Sequence, residues 1–139
     1  MPNFISTGEL DSAFVKWRSA ARYAGSRLTH LRFADASHDQ TILFFLLHEQ
    51  PESVRRRTLS EAVRVTRPGG RIVIVDYHLP QRFHPLRYLF QPILRWLEPF
   101  ALDLWNHSLD KWLPKTIRAE QIRKETSFGG LYQKVVITV

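Results

Sequence analysis

Apolar positions along the chain change their period several times, and each change marks an element. In residues 7–24, Leu10, Phe14, Trp17 and Ala21 recur at helical spacing and form one stripe. That segment reads as an amphipathic helix which Thr7 can cap and Gly25-Ser26 ends. A polar-flanked loop follows over residues 31–39. Residues 41–47 are a continuous apolar run without alternation, which suits a strand buried on both faces of a parallel sheet. Pro51 is placed to open a second helix. There Leu59, Ala62, Val63 and Thr66 fall at i, i+3, i+4 and i+7, so one face packs and the face carrying Arg55, Arg56 and Arg57 is wet. Arg67-Pro68-Gly69-Gly70 stops that helix, and residues 72–75, β-branched throughout, form a second buried strand. Strand, helix and strand make a βαβ unit with a right-handed crossover. Residues 83–113 are a helical, aromatic insertion broken by Pro85, Pro92 and Pro99. Residues 121–128 and 131–139 close the chain as a hairpin about Gly129-Gly130.

Length and composition narrow the function classes. A chain of 139 residues suits one domain with one core. The absence of cysteine excludes a disulfide framework and a thiolate metal site. The start Met1-Pro2-Asn3-Phe4-Ile5-Ser6 lacks the charged and apolar regions of a signal peptide, and no apolar run is long enough to span a bilayer. The expectation is a cytoplasmic protein, with contact at a membrane surface as the alternative. A formal charge of +7 favours anionic partners, or is simply a basic solvated surface. No nucleic-acid motif is recognisable, so no nucleic-acid partner is expected.

Leu31, Phe33, Asp35, Ser37 and Asp39, then Arg64, Val65, Arg67, Pro68, Gly69 and Gly70, follow a familiar pattern. The first set resembles the loop before the fourth strand of class I S-adenosylmethionine-dependent methyltransferases. The second resembles the helix end before their fifth strand. Within that superfamily the chain is most similar to the ubiquinone/menaquinone C-methyltransferases, with the rhodoquinone-biosynthesis proteins as relatives. The resemblance implies an α/β fold: half of a Rossmann-like methyltransferase sheet, strands 4, 5, 7 and 6. It covers residues 31–139, with residues 83–113 as a lid-like helical insertion and residues 1–30 as an N-terminal helical segment. It implies S-adenosylmethionine as methyl donor and a small apolar, quinone-like acceptor. The family's glycine-rich turn and ribose-binding acidic residue have no counterpart before residue 31, and Arg27 stands where an Asp near the adenine is common. Cofactor-binding residues are therefore unassigned, and activity is expected only if a partner completes the donor site. A non-catalytic interaction module, or a remnant, is the alternative.

Candidate chemistry gathers at the carboxyl ends of the two buried strands, where open α/β sheets bind ligands. His48 is a candidate base and Asp76 a candidate for accepting a proton from, or positioning, a substrate hydroxyl. Glu49, Tyr77 and His78 are candidate substrate contacts. The plainer roles are a helix cap for His48 and Glu49, and strand-end polarity with a core tyrosine for the others. Together His48, Glu49, Asp76 and His78 have N and O donors but not the spacing of a metal motif, so no metal is expected. Tyr88, Trp96 and Trp105 in the insertion either line a lid over an apolar ligand or pack in the core. In the complete fold a further strand would flank residues 41–47. The expectation is self-association, or a partner chain, through that strand.

Overall fold

The computed structural model describes residues 29–97 and 99–139. The expected helix over residues 7–24, most of the segment 1–30, and Arg27 lie outside the described residues. Strand β1 spans His38–Phe44, helix α1 spans Glu52–Val65, and β2 spans Thr66–Tyr77. The insertion forms α2 (Pro85–Leu97), α3 (Pro99–Asn106) and a 3-10 turn at Leu109–Trp112. Strands β3 (Ile122–Ser127) and β4 (Tyr132–Thr138) follow. The four-stranded sheet has the order β1-β2-β4-β3. β1 and β2 are parallel, and β4 is antiparallel to both β2 and β3. This is the expected order of half a Rossmann-like methyltransferase sheet.

Local chemistry moves several expected boundaries. β1 ends at Phe44, short of residue 47, because Phe45 takes a positive φ of 47° and its N–H donates to the Val75 carbonyl at 2.8 Å. Pro51 sits just outside α1, at the N-cap position. The helix ends at Val65, where the Thr66 hydroxyl donates to the Ala62 carbonyl at 2.7 Å. Arg67 to Gly70 therefore lie within β2, as an irregularity in its pairing with β1 between His38 and Gln40. Gly69 has φ +78°, and a Cβ on Gly70 would lie 2.8 Å from the carbonyl oxygens of Arg67 and Asp39.

The two sets of family-pattern residues clasp each other. Arg64 donates to the carbonyls of Leu31 and Phe33 and to the carboxylates of Asp35 and Glu61. Glu61 also accepts the Leu31 N–H, and Arg67 pairs with Asp39 at 2.8 Å. The Arg64 hydrogen bond holds the Glu61 carboxyl below its usual range.

The main core lies between the sheet and α1: Leu43, Leu59, Ala62, Ile72, Ile74, Val135 and Ile137 pack together, joined by Leu104 and Trp112. Arg55 belongs to this core, which corrects the expectation of a wholly wet arginine face. It is 0% exposed. Its Nε donates to the Leu47 carbonyl at 3.1 Å, and Nη2 donates to the carbonyls of Gln50 at 3.0 Å and Phe100 at 3.1 Å. Nη1 pairs with Asp103 at 2.8 Å, and the guanidinium lies 4.3 Å over the Trp112 ring. Burying this charge is tolerable because every direction of the guanidinium fork meets an acceptor or a π face.

Candidate active site at the carboxyl edge of the sheet

Beyond Phe45 the chain turns into a 3-10 turn, Leu47–Glu49, which carries His48 back over the end of β2. Asp76, the penultimate residue of β2, is 0% exposed. One of its oxygens accepts the Leu47 N–H at 2.8 Å and the His48 N–H at 3.3 Å. The other accepts the Tyr77 N–H at 2.8 Å and lies 2.8 Å from His48 Nδ1. A carboxylate oxygen accepts, so this contact assigns the donated proton to Nδ1. Asp76 thus ties the 3-10 turn and the imidazole to the end of β2.

His48 is buried and Glu49 exposed, with 3.8 Å between His48 Nε2 and the Glu49 carboxylate. Neither side chain caps α1, so the plainer role set out for them is not the one they take. Aromatic rings surround the pair. Tyr77 meets His48 edge-on at 4.7 Å, Phe45 meets Tyr77 at 5.4 Å and Tyr132 at 5.6 Å, and Tyr77 and Tyr132 stack at 5.9 Å. Phe128 on the hairpin turn meets Tyr132 at 5.6 Å. Phe45, Tyr132 and Phe128 escaped the sequence reading. The alternation of β4 signals only that one face of Tyr132's strand is covered.

His78 lies one residue further on. Its Nδ1–H donates to the Gly130 carbonyl at 2.9 Å, tying the end of β2 to the hairpin. Burial holds its pKa below 6.5, so the neutral form is favoured. Among the described residues no three His, Asp or Glu side chains are grouped to hold a metal ion. Trp105 is buried with Ala101 and Leu131, against Tyr77, Leu79, Leu86 and Tyr132, and so forms the floor beneath the aromatic group. Tyr88 and Trp96 go elsewhere: both are exposed on α2, and Tyr88 donates its hydroxyl to the Arg82 carbonyl at 3.2 Å.

A parallel pair extended by an antiparallel hairpin is the second half of a Rossmann-like α/β sheet. The methyltransferase-domain family matches residues 5–74, and the chain belongs to that family, as a class I member resembling the quinone methyltransferases. It is similar to the demethylmenaquinone methyltransferase of Beutenbergia cavernae, with 44% identity over 137 residues, 91% of this chain and 55% of that protein. The enzyme of the same name from Renibacterium salmoninarum is 34% identical over 93 residues, 66% of this chain and 38% of that one. The chain spans about half the length, or less, of the curated relatives it matches. Two solved structures share the fold. A protein from Pyrococcus horikoshii has a TM-score of 0.52 at 18% identity, covering 96% of this chain and 68% of its own. An exported-protein candidate from Bordetella parapertussis has a TM-score of 0.54 at 14% identity, covering 95% and 50%.

Proposed function

We propose that this chain carries the acceptor side of a methyl-transfer site for a small apolar, quinone-like ring bearing a hydroxyl group. The observation that carries the reading is the buried His48–Asp76 pair at the carboxyl edge of two parallel strands. His48 Nε2 takes the ring hydroxyl proton, and the electron pair left on oxygen raises the nucleophilicity of the adjoining ring carbon. Asp76 fixes the tautomer and stabilises the imidazolium that forms. Phe45, Tyr77 and Tyr132 flank the flat ring and keep water away from it. Catalytic weight thus rests on His48, with Asp76 behind it and Glu49, Tyr77 and His78 at the rim.

The expected donor is S-adenosylmethionine, which when bound supplies an electrophilic methyl group on a sulfonium. The described residues suit the sulfonium end: the faces of Phe45 and Tyr77 stabilise a cation. The family's ribose-binding acidic residue has no counterpart before residue 31. In this reading a partner chain completes the donor site.

The test is transfer of a tritiated methyl group to a naphthohydroquinone, by the chain alone and by the complex it forms in its own cells. The complex is expected to label the ring, and His48→Gln to reduce labelling by about 100-fold or more while the complex stays intact. Equal labelling by His48→Gln, or a complex that neither labels nor binds the acceptor, refutes the reading.

A further inference from the structure

Helix α2 turns an apolar face outward. Tyr88, Leu89, Pro92, Ile93 and Trp96 are all exposed, Trp96 at 84%. At helical pitch these five fall within an arc of about 140°. Leu86, beside Ile93 at the border of that arc, packs against the Trp105 cluster. Phe83, just before the helix, is 99% exposed, and Phe100, just after it, is exposed as well. A helix of a globular domain buries its apolar stripe, and among the described residues nothing covers this face.

Charge identifies the occupant. From Tyr77 to Leu97 the sequence contains no Asp or Glu but has Arg82, Arg87 and Arg95. Arg87 donates to the Pro80 carbonyl at 3.2 Å, while Arg82 and Arg95 are exposed. Arg95 falls beside Tyr88 at the border of the apolar arc. The chain as a whole carries +7. A protein partner of ordinary mixed charge would leave these arginines unmatched. An anionic lipid surface matches both features, because long basic side chains reach phosphates while Trp and Leu enter the acyl boundary. α2 has 13 residues, about 20 Å, too short to cross a bilayer, and no described helix is long and apolar enough to do so.

We infer that α2 lies flat on an anionic bilayer, with Phe83, Leu89, Ile93 and Trp96 in the acyl boundary and Arg82 and Arg95 at the headgroup phosphates. The surface leads to the site: Leu79 and Leu86, at the root of α2, share a cluster with Tyr77 and Tyr132. Bilayer docking therefore sets the aromatic edge of the sheet close to dissolved apolar molecules. That last link rests on the methyl-transfer reading; the docking does not.

Flotation of the full chain with vesicles tests the docking. With phosphatidylcholine and phosphatidylglycerol in equal parts, the chain floats and its tryptophan emission shifts to the blue. With phosphatidylcholine alone, or at high salt, it stays in solution. In a Trp17→Phe background, Trp96→Phe still floats but loses most of the blue shift, because Trp105 and Trp112 are already buried. Trp96→Glu stays in solution with its circular dichroism unchanged. Arg82→Gln and Arg95→Gln each weaken partition about fivefold. Flotation that ignores lipid charge, or survives Trp96→Glu, overturns the inference. So does self-association in lipid-free solution that Trp96→Glu abolishes, which would make the face a contact between copies. Loss of methyl transfer in His48→Gln leaves flotation unchanged, so the two proposals fail separately.

Discussion

Replacing Arg55 by Met tests how far one buried cation fastens the site to the insertion. The guanidinium holds the Leu47 and Gln50 carbonyls, on either side of His48, to the Phe100 carbonyl and the Asp103 carboxylate of α3. Met fills most of the volume but donates nothing. Three carbonyls lose their charged donor, at roughly 1 kcal/mol or more each. The stacking on Trp112 adds about 1–2 kcal/mol when desolvated. Asp103 is partly exposed and regains water, so its share is small. The expected loss is about 3–5 kcal/mol, in the range for breaking one partner out of a buried pair. In a chain of 139 residues that lowers the melting temperature by roughly 10–15 °C. Urea unfolding followed by tryptophan emission measures the loss, and amide exchange at Leu47 and Gln50 should accelerate with it. Arg55→Lys should recover only part, because an ammonium cannot serve four separated acceptors. Asp103→Asn should cost about 1 kcal/mol. A loss below about 1 kcal/mol for Arg55→Met would refute the account and make Arg55 a passenger in the core.

The two glycines of the Pro-Gly-Gly segment should separate cleanly. Gly70→Ala drives a Cβ against two backbone carbonyls and should cost roughly 2 kcal/mol or more, whereas Gly69→Ala meets open space and costs only about 1 kcal/mol of left-handed strain; equal melts for the two variants would contradict this. Burial holds His78 below 6.5 in the folded state, so the unfolded chain binds that proton more readily. Stability is therefore full above about pH 6.5 and declines as pH falls toward the folded value; His78→Gln should flatten the fall in melting temperature between neutral and mildly acidic pH, and an unchanged slope would reject the assignment. From the apolar run over residues 41–47, we propose self-association, or a partner chain, through that segment. Light scattering over a concentration series should show a mass above that of one chain, and a monomer throughout would reject it.

Apolar periodicity was enough to read both parallel strands, α1, the insertion and the closing hairpin, because each buries a continuous face. It failed where a side chain's partner comes from far along the chain. Arg55 stands four residues before Leu59 and seven before Ala62, squarely on the buried stripe. Its charge reads as wet until Asp103 and three distant carbonyls are brought to it. His48 and Asp76 were legible as residues at strand ends, but not as a pair. What joins them is the left-handed turn at Phe45, which nothing in an apolar run announces. Tyr88 and Trp96 show the converse limit. An aromatic residue in an amphipathic helix marks a face, and the pattern does not say whether that face looks in or out.

The register of β2 and β4 has a consequence for how members of this family diverge. The chain leaves the sheet at Tyr77 and re-enters it at Ile122, whose partner Ile137 lies opposite Ile72, so β4 holds both ends of the excursion at fixed points. The excursion is a closed loop, and the entropy of closing a loop grows only with the logarithm of its length. Sheet and hairpin therefore impose almost no selection on how long that excursion is. The fastening is local, at Arg55 and at the Trp105 floor. Evolution can exchange the segment as a cassette, and with it the surface beside Tyr77 and Tyr132, while leaving the His48–Asp76 pair and its strands in place.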